Sequence, residues 1–214
     1  MAIEAHVRLV LAWNAAINLT AITAPEAVAR LHVADSLAGL PVVTAAAHRT
    51  LVDIGSGGGF PGLTLAVVLR RTRVALVESV GKKARFLEAA IRASGLQDRV
   101  VVRAGRAEEA VDPGEAGVDV VTARAVGSLA ELVELAMPLL ARGGRLIAWK
   151  RGDLEAEIAS AWRAAAALGG SEPLVQPVPA AAGLPGHVLV TVTKRAVTPD
   201  GFPRDPGARK RRPW

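Results

Sequence analysis

The stretch TLVDIGSGGGFPG, Thr50 to Gly62, decides how the rest of the chain is read. Leu51, Val52 and Ile54 make a short apolar strand, and Gly55-Ser56-Gly57-Gly58-Gly59 follows it before Phe60 and Pro61. An apolar strand that runs into glycines and then a helix is how a backbone closes on a nucleotide, because glycine alone tolerates the tight turn and the close approach. Two spacings overlap. From Gly55 the stretch reads D-x-G-x-G-x-G, with Asp53 closing the strand; from Gly57 it reads G-x-G-x-x-G. In the second register Pro61 stands where a dinucleotide pyrophosphate needs helix N–H groups, and one donor is missing. The first register fits better, and it makes Gly55 and Gly57 candidate cofactor contacts.

Working outward, the periodicity predicts a helix over 3–19 and a second after TAPE, where Thr23 and Glu26 have capping-box spacing and Pro25 lies in the first turn. Beyond the glycines, strands at 50–55, 73–78, 99–103, 117–122 and 144–149 alternate with helices at 61–71, 82–94, 127–140 and 153–168. Such alternation predicts a doubly wound α/β sheet with right-handed crossovers. The ending differs from a dehydrogenase. The proline-rich SEPLVQPVPAAAGLPG joins two extended segments with no helix between them, so the last strand, HVLVTVTKR, is expected to run antiparallel. That is the seven-stranded, Rossmann-like sheet of methyltransferases that use S-adenosylmethionine, here with an N-terminal helical cap. The expected organisation is a cap over 1–45, an α/β domain over 46–197 and a basic tail over 198–214.

At 214 residues, 51% of them hydrophobic, the chain suits one α/β domain with a small appendage. It has no cysteine, which excludes a disulfide framework, a thiolate zinc site and a cysteine nucleophile. No basic leader followed by an apolar core and no apolar run long enough for a bilayer occurs, so a cytoplasmic location is expected. The net charge of +6 favours a polyanionic partner. Residues 204–214, RDPGARKRRPW, concentrate it, with five basic side chains against one acidic.

In open α/β sheets the ligand sits beyond the carboxyl ends of the strands, where strand order reverses. Glu78 ends the second strand, 21 residues after Gly57, where a carboxylate accepts hydrogen bonds from a ribose diol. NAD and S-adenosylmethionine sites share that feature, so it does not choose between them. GRAEEA brings Ala107 and Glu108 to the same rim, against an adenine edge. Arg124, after the fourth strand, suits a cofactor carboxylate or an RNA phosphate. Lys150, ending the fifth, is a candidate for phosphate or base, whereas Trp13 and Trp149 read as core residues.

Seven segments together resemble one family, the small-subunit (16S) ribosomal RNA guanine-N7 methyltransferases of the RsmG/GidB type. WNAAINLTAI and HVADSL are similar to its N-terminal signature; DIGSGGGFPGLTLA, ALVESVGKKARFL, GRAEE and ARAVGSL to its cofactor core; and FPRDPGARKRRPW to its basic C-terminus. The resemblance implies S-adenosylmethionine as cofactor, with contacts at Gly55 and Phe60, at Glu78, Ser79 and Val80, at Ala107 and Glu108, and at Arg124. It implies 16S ribosomal RNA or the small subunit as partner.

Guanine N7 has a free lone pair and no proton to lose, so no general base and no metal are expected. A nicotinamide-dependent oxidoreductase and a noncatalytic RNA-binding module are the alternatives. Arg204, Arg209, Lys210, Arg211 and Arg212 follow the final strand, where nothing in the pattern buries them. They are therefore expected, with Arg124 and Lys150, to meet RNA, and the tail is expected to act independently of the cofactor.

Overall fold

A computed structural model describes residues 1–110, 117–179 and 183–214. Residues 180–182 of the expected proline-rich connection lie outside the described residues. Seven strands form one sheet: β1 (Thr50–Ile54), β2 (Arg73–Glu78), β3 (Val100–Ala104), β4 (Val118–Arg124), β5 (Leu140–Arg151), β6 (Leu174–Pro177) and β7 (His187–Thr193). Their order is β3-β2-β1-β4-β5-β7-β6. The first five are parallel, and β7 runs antiparallel to both β5 and β6. Every residue of β1 after Thr50 is buried, as a parallel strand covered on both faces must be.

Helices α1 (Ala2–Ile17), α2 (Pro25–Val28), α3 (Asp35–Ala38) and α4 (Leu40–Thr44) form the cap, and a π-helical turn, Ala29–Ala34, joins α2 to α3. The expected capping box is corrected. Ala24, not Thr23, is the N-cap of α2 and makes no side-chain bond, because Pro25 opens the helix and holds the residue before it extended. Gly39 seats the cap on the sheet: a Cβ there would lie 2.2 Å from the Trp149 ring, so only glycine permits this approach to β5.

On the sheet proper, α5 (Gly62–Val68) and α6 (Gly81–Ala93) cover one face, and α8 (Leu129–Ala136) and α9 (Glu155–Leu168) cover the other; α7 (Ala107–Ala110) is a single turn beyond β3. Ser128 caps α8 by accepting the Glu131 N–H, 3.3 Å. The helix expected to reach residue 140 stops at Ala136, and β5 begins at Leu140. Leu140 already pairs with Val118, and a register shift lets the chain bulge before it resumes pairing at Arg145.

Two apolar clusters line the faces. Val10 and Val43 of the cap share one with Leu51, Leu63, Phe86 and Leu87, while Phe202 and Trp214 pack against the other, around Leu132, Val133 and Ala164. The tail is therefore built in. It turns through α10 (Pro206–Arg211) and wraps α8, which corrects the expectation that nothing buries it.

The reason is Glu134, a fully buried carboxylate on α8. Its Oε1 accepts from Arg204 N (2.8 Å) and Nε (2.9 Å), and its Oε2 from Arg204 Nη2 (2.6 Å) and Trp214 Nε1 (2.6 Å). Arg204 also lies over the Trp214 ring, 4.8 Å from its centroid. Burial acts to raise the Glu134 pKa, but these donors outweigh it, and the net shift is downward. The matching stability is present above the ordinary value of 4.5 and is lost as pH falls through the lower folded value. Arg204→Ala strands a buried charge and is expected to cost about 3–5 kcal/mol in urea unfolding at pH 7. A loss under about 1 kcal/mol would show that water reaches Glu134.

Candidate functional site

The carboxyl ends of β1, β4 and β5 face the cap across a cleft of about 610 Å³. Its walls include Gly55, Gly57 and Phe60 from the loop after β1, Arg124 from β4, Lys150 from β5 and His32 from the π-helical turn. At its edge the glycine loop is tied to the second strand. Gly57 N donates to Glu78 Oε2 and Val80 N donates to Glu78 Oε1, both at 2.8 Å, so a carboxylate only 6% exposed is fixed between the two strand ends. Gly57 has φ +52°, and a Cβ there would meet nothing closer than Gly55 O at 3.8 Å. It would project into the space above the loop. These observations fit a nucleoside: a left-handed glycine lets the backbone approach it, and the pinned carboxylate stands where it can accept from the hydroxyls of a ribose diol.

Ser79 and Val80 lie exposed at the turn into α6, and Ala107 and Glu108 lie in α7 beyond β3. None of the four lines the cleft, which belongs to the other side of the loop. Phe60 is buried between two imidazoles, His32 at 4.8 Å and His6 at 4.6 Å between centroids, so both ring faces are occupied.

Arg124 is held more tightly than its position in the sequence indicates. Nη1 donates to Asp35 Oδ2 (2.7 Å) and to Leu31 O (3.2 Å), and Nη2 lies 3.1 Å from His32 Nδ1. A guanidinium only donates, so His32 Nδ1 is the acceptor and Nε2 carries the proton, which it gives to Thr20 Oγ1 at 2.7 Å. Burial, and then the Arg124 charge, push His32 down to about 4. His6, buried deeper, is also lowered to about 4 and donates from Nε2 to Gly58 O, 2.7 Å. Both rings are neutral at pH 7. The π-helical turn brings Leu31 O and His32 together onto one guanidinium; π turns recur at functional sites.

Lys150 Nζ is also engaged, with Glu157 Oε1 (2.7 Å) and Gly127 O (3.2 Å). Arg204 and Arg209 point inward, to Glu134 and Glu108, because those carboxylates need partners; among the tail cations Lys210, Arg211 and Arg212 remain exposed. Sequence reasoning missed Asp35 and His187. Asp35, 2% exposed, accepts from Arg124 on one oxygen and from His187 Nδ1 (2.9 Å) on the other, and its carbonyl accepts from Trp149 Nε1 (2.8 Å). The available signal was the His32–Asp35 spacing of three, which puts both on one helix face. No His, Asp or Glu cluster able to hold a metal occurs among the described residues, and no described helix is long and apolar enough to cross a membrane.

A family model described as GidB, rRNA small subunit methyltransferase G, matches residues 1–182. The chain belongs to this family. It is thereby a ribosomal RNA methyltransferase. Among its relatives, the ribosomal RNA small subunit methyltransferase G of Roseiflexus sp. (strain RS-1) is 44% identical over 203 residues, covering 94% of this chain and 86% of that protein. The Geobacillus kaustophilus protein of the same name is 36% identical over 212 residues, covering 98% and 89%. Among solved structures, an O-methyltransferase from Bacillus cereus is similar with a TM-score of 0.57 at 20% identity, covering 88% of this chain and 90% of that one. An S-adenosylmethionine-dependent O-methyltransferase from Thermotoga maritima gives 0.58 at 18%, covering 89% and 72%. These two speak for the fold, the seven-stranded methyltransferase sheet.

Asp53, at the end of β1, accepts from Thr122 Oγ1 at 2.6 Å. Full burial outweighs this bond and pushes its carboxyl up to about 6 from 3.8. With the folded pKa above the unfolded one, Asp53's contribution is complete below 3.8 and is lost as pH rises through about 6. Asp53→Asn is expected to exceed the parent in stability at pH 7 by on the order of 2–3 kcal/mol and to flatten the parent's decline between those values. Urea unfolding across that pH range is the measurement; an unchanged slope would mean Asp53 does not titrate there.

Proposed function

We propose that this protein transfers the methyl group of S-adenosylmethionine to N7 of a guanine in 16S ribosomal RNA, in the cytoplasm, as free RNA or within the small subunit. The observation that carries the reading is the joint between Gly57 N–H and the buried Glu78 carboxylate, which ties the glycine loop to the end of β2 beside the cleft. The cofactor supplies a methyl group activated on a sulfonium sulfur. Gly57 lets the backbone approach it, beside Gly55, whose missing Cβ leaves room for Val126; Glu78 receives its ribose, and Ser79, Val80, Ala107 and Glu108 carry its adenosyl end across β2 and β3. Arg124, balanced by Asp35, and Lys150, balanced by Glu157, line the space left for the nucleotide.

Methyl transfer is an in-line displacement: the bond to N7 forms as the bond to sulfur breaks, and the positive charge passes to the guanine. N7 brings its own electron pair and gives up no proton. The neutral, hydrogen-bonded His6 and His32 accordingly serve to pack and orient, His32 by holding Arg124. The exposed cations Lys210, Arg211 and Arg212 supply charge to RNA phosphates, a contribution that weakens with salt.

Gly57→Ala is expected to weaken S-adenosylhomocysteine binding at least about tenfold in calorimetry, while the left-handed backbone costs the fold only about 1–2 kcal/mol. Glu78→Ala is expected to weaken it comparably. Unaltered affinity in both would remove the cofactor assignment. For the reaction, labelled methyl incorporation into 16S RNA followed by mapping of 7-methylguanosine decides: label at another atom of guanine, or no label, contradicts the proposal.

A further inference from the structure

Helix α10 has two faces with different partners. Arg209, 9% exposed, turns inward: Nη2 donates to Glu108 Oε1 at 2.8 Å, Nε to Glu131 Oε1 at 3.3 Å, and Nη1 to Arg204 O. Lys210, Arg211 and Arg212 turn out to solvent. Glu108 belongs to α7, a turn of four residues, far too short to hold itself as a helix in water. Its place is set by what anchors it. One anchor lies at the β3 end of the segment, where Gly105 N donates to Glu78 O at 3.0 Å, so α7 starts from the same residue whose carboxylate holds the glycine loop. Ala107 also packs against the apolar cluster on that face, and from the C-terminal segment the anchor is Arg209. Behind Arg209 stands Arg204, clamped by the buried Glu134 and stacked over Trp214, which makes the anchor rigid.

We infer that Arg209 is a positioning residue for the cofactor: docked α10 fixes Glu108 and the α7 turn, so cofactor affinity and docking of the C-terminal segment are coupled. The inference rests on the reading that the adenosyl end of the cofactor lies across β2 and β3. It replaces the expectation that the tail works on RNA alone. Arg209 itself touches no ligand and acts through Glu108. Coupling of this kind is reciprocal, since a segment that favours the bound cofactor must be favoured by it to the same extent.

The test is calorimetric binding of S-adenosylhomocysteine to the full chain and to Glu108→Gln, Arg209→Gln, Arg209→Lys and the double variant Glu108→Gln/Arg209→Gln. Arg209→Gln is expected to weaken binding about tenfold and Arg209→Lys to recover part of the loss. The double variant is expected to be no worse than the weaker single one, because with Glu108 altered Arg209 has nothing left to position. Binding by Arg209→Gln within about twofold of the parent, or losses that multiply in the double variant, overturns the inference.

Should Arg209→Gln not fold, the parent answers alone. Saturating S-adenosylhomocysteine is expected to slow amide hydrogen exchange in residues 204–214 several-fold, and unchanged exchange overturns the coupling. A parent that binds no S-adenosylhomocysteine removes the cofactor reading and this inference with it, a different outcome from a parent that binds while Arg209→Gln binds equally well.

Discussion

The Asp35 carboxylate closes this molecule. It sits at 2% exposure, with Arg124 of β4 on one oxygen and His187 of β7 on the other, while its own carbonyl takes the indole N–H of Trp149 on β5. Three strands of the sheet thus converge on one residue of the cap. Removing two charges from water costs about as much as their attraction returns, so such a pair decides position more than it adds stability. What it decides here is the height of the cap above the strand ends, and with it the width of the cleft.

The same network explains the state of the cleft's histidines. Arg124 can only donate, which makes His32 Nδ1 an acceptor and leaves its proton on Nε2, facing Thr20. Burial keeps the ring neutral, and so does the neighbouring guanidinium charge. A site arranged this way orients groups and fills space. That suits a nucleophile that carries its own lone pair, and it assigns the catalytic work to alignment.

Charge counting in the tail carries no direction. Five cations in eleven residues look like an RNA-binding arm. Two of them, Arg204 and Arg209, instead answer Glu134 and Glu108, carboxylates that lie some 70 and 101 residues earlier in the chain. A buried carboxylate such as Glu134 is costly without a partner, and the C-terminus is the element that satisfies it. The arm is a strut on its inner face and a charged surface only on its outer one.

The elements that were legible are those whose signal is local. The β1 strand and its glycine loop, the alternation behind the parallel sheet, and the antiparallel β7 after the proline-rich stretch all show in runs of a few residues, because backbone reach and hydrophobic period act over that range. Glu78 was legible for the same reason, as the residue ending a strand next to the loop. Asp35, His187, the inward turn of Arg204 and Arg209, and the enclosure of Phe60 between His6 and His32 were not. Each depends on groups brought together from distant parts of the chain, as with His187 and Asp35, 152 residues apart. From its sequence alone this protein is a seven-stranded methyltransferase sheet with a glycine loop at its first strand end. Which charges face a ligand and which face each other was decided only on folding, since a buried ion must find its counter-ion in space and not in sequence.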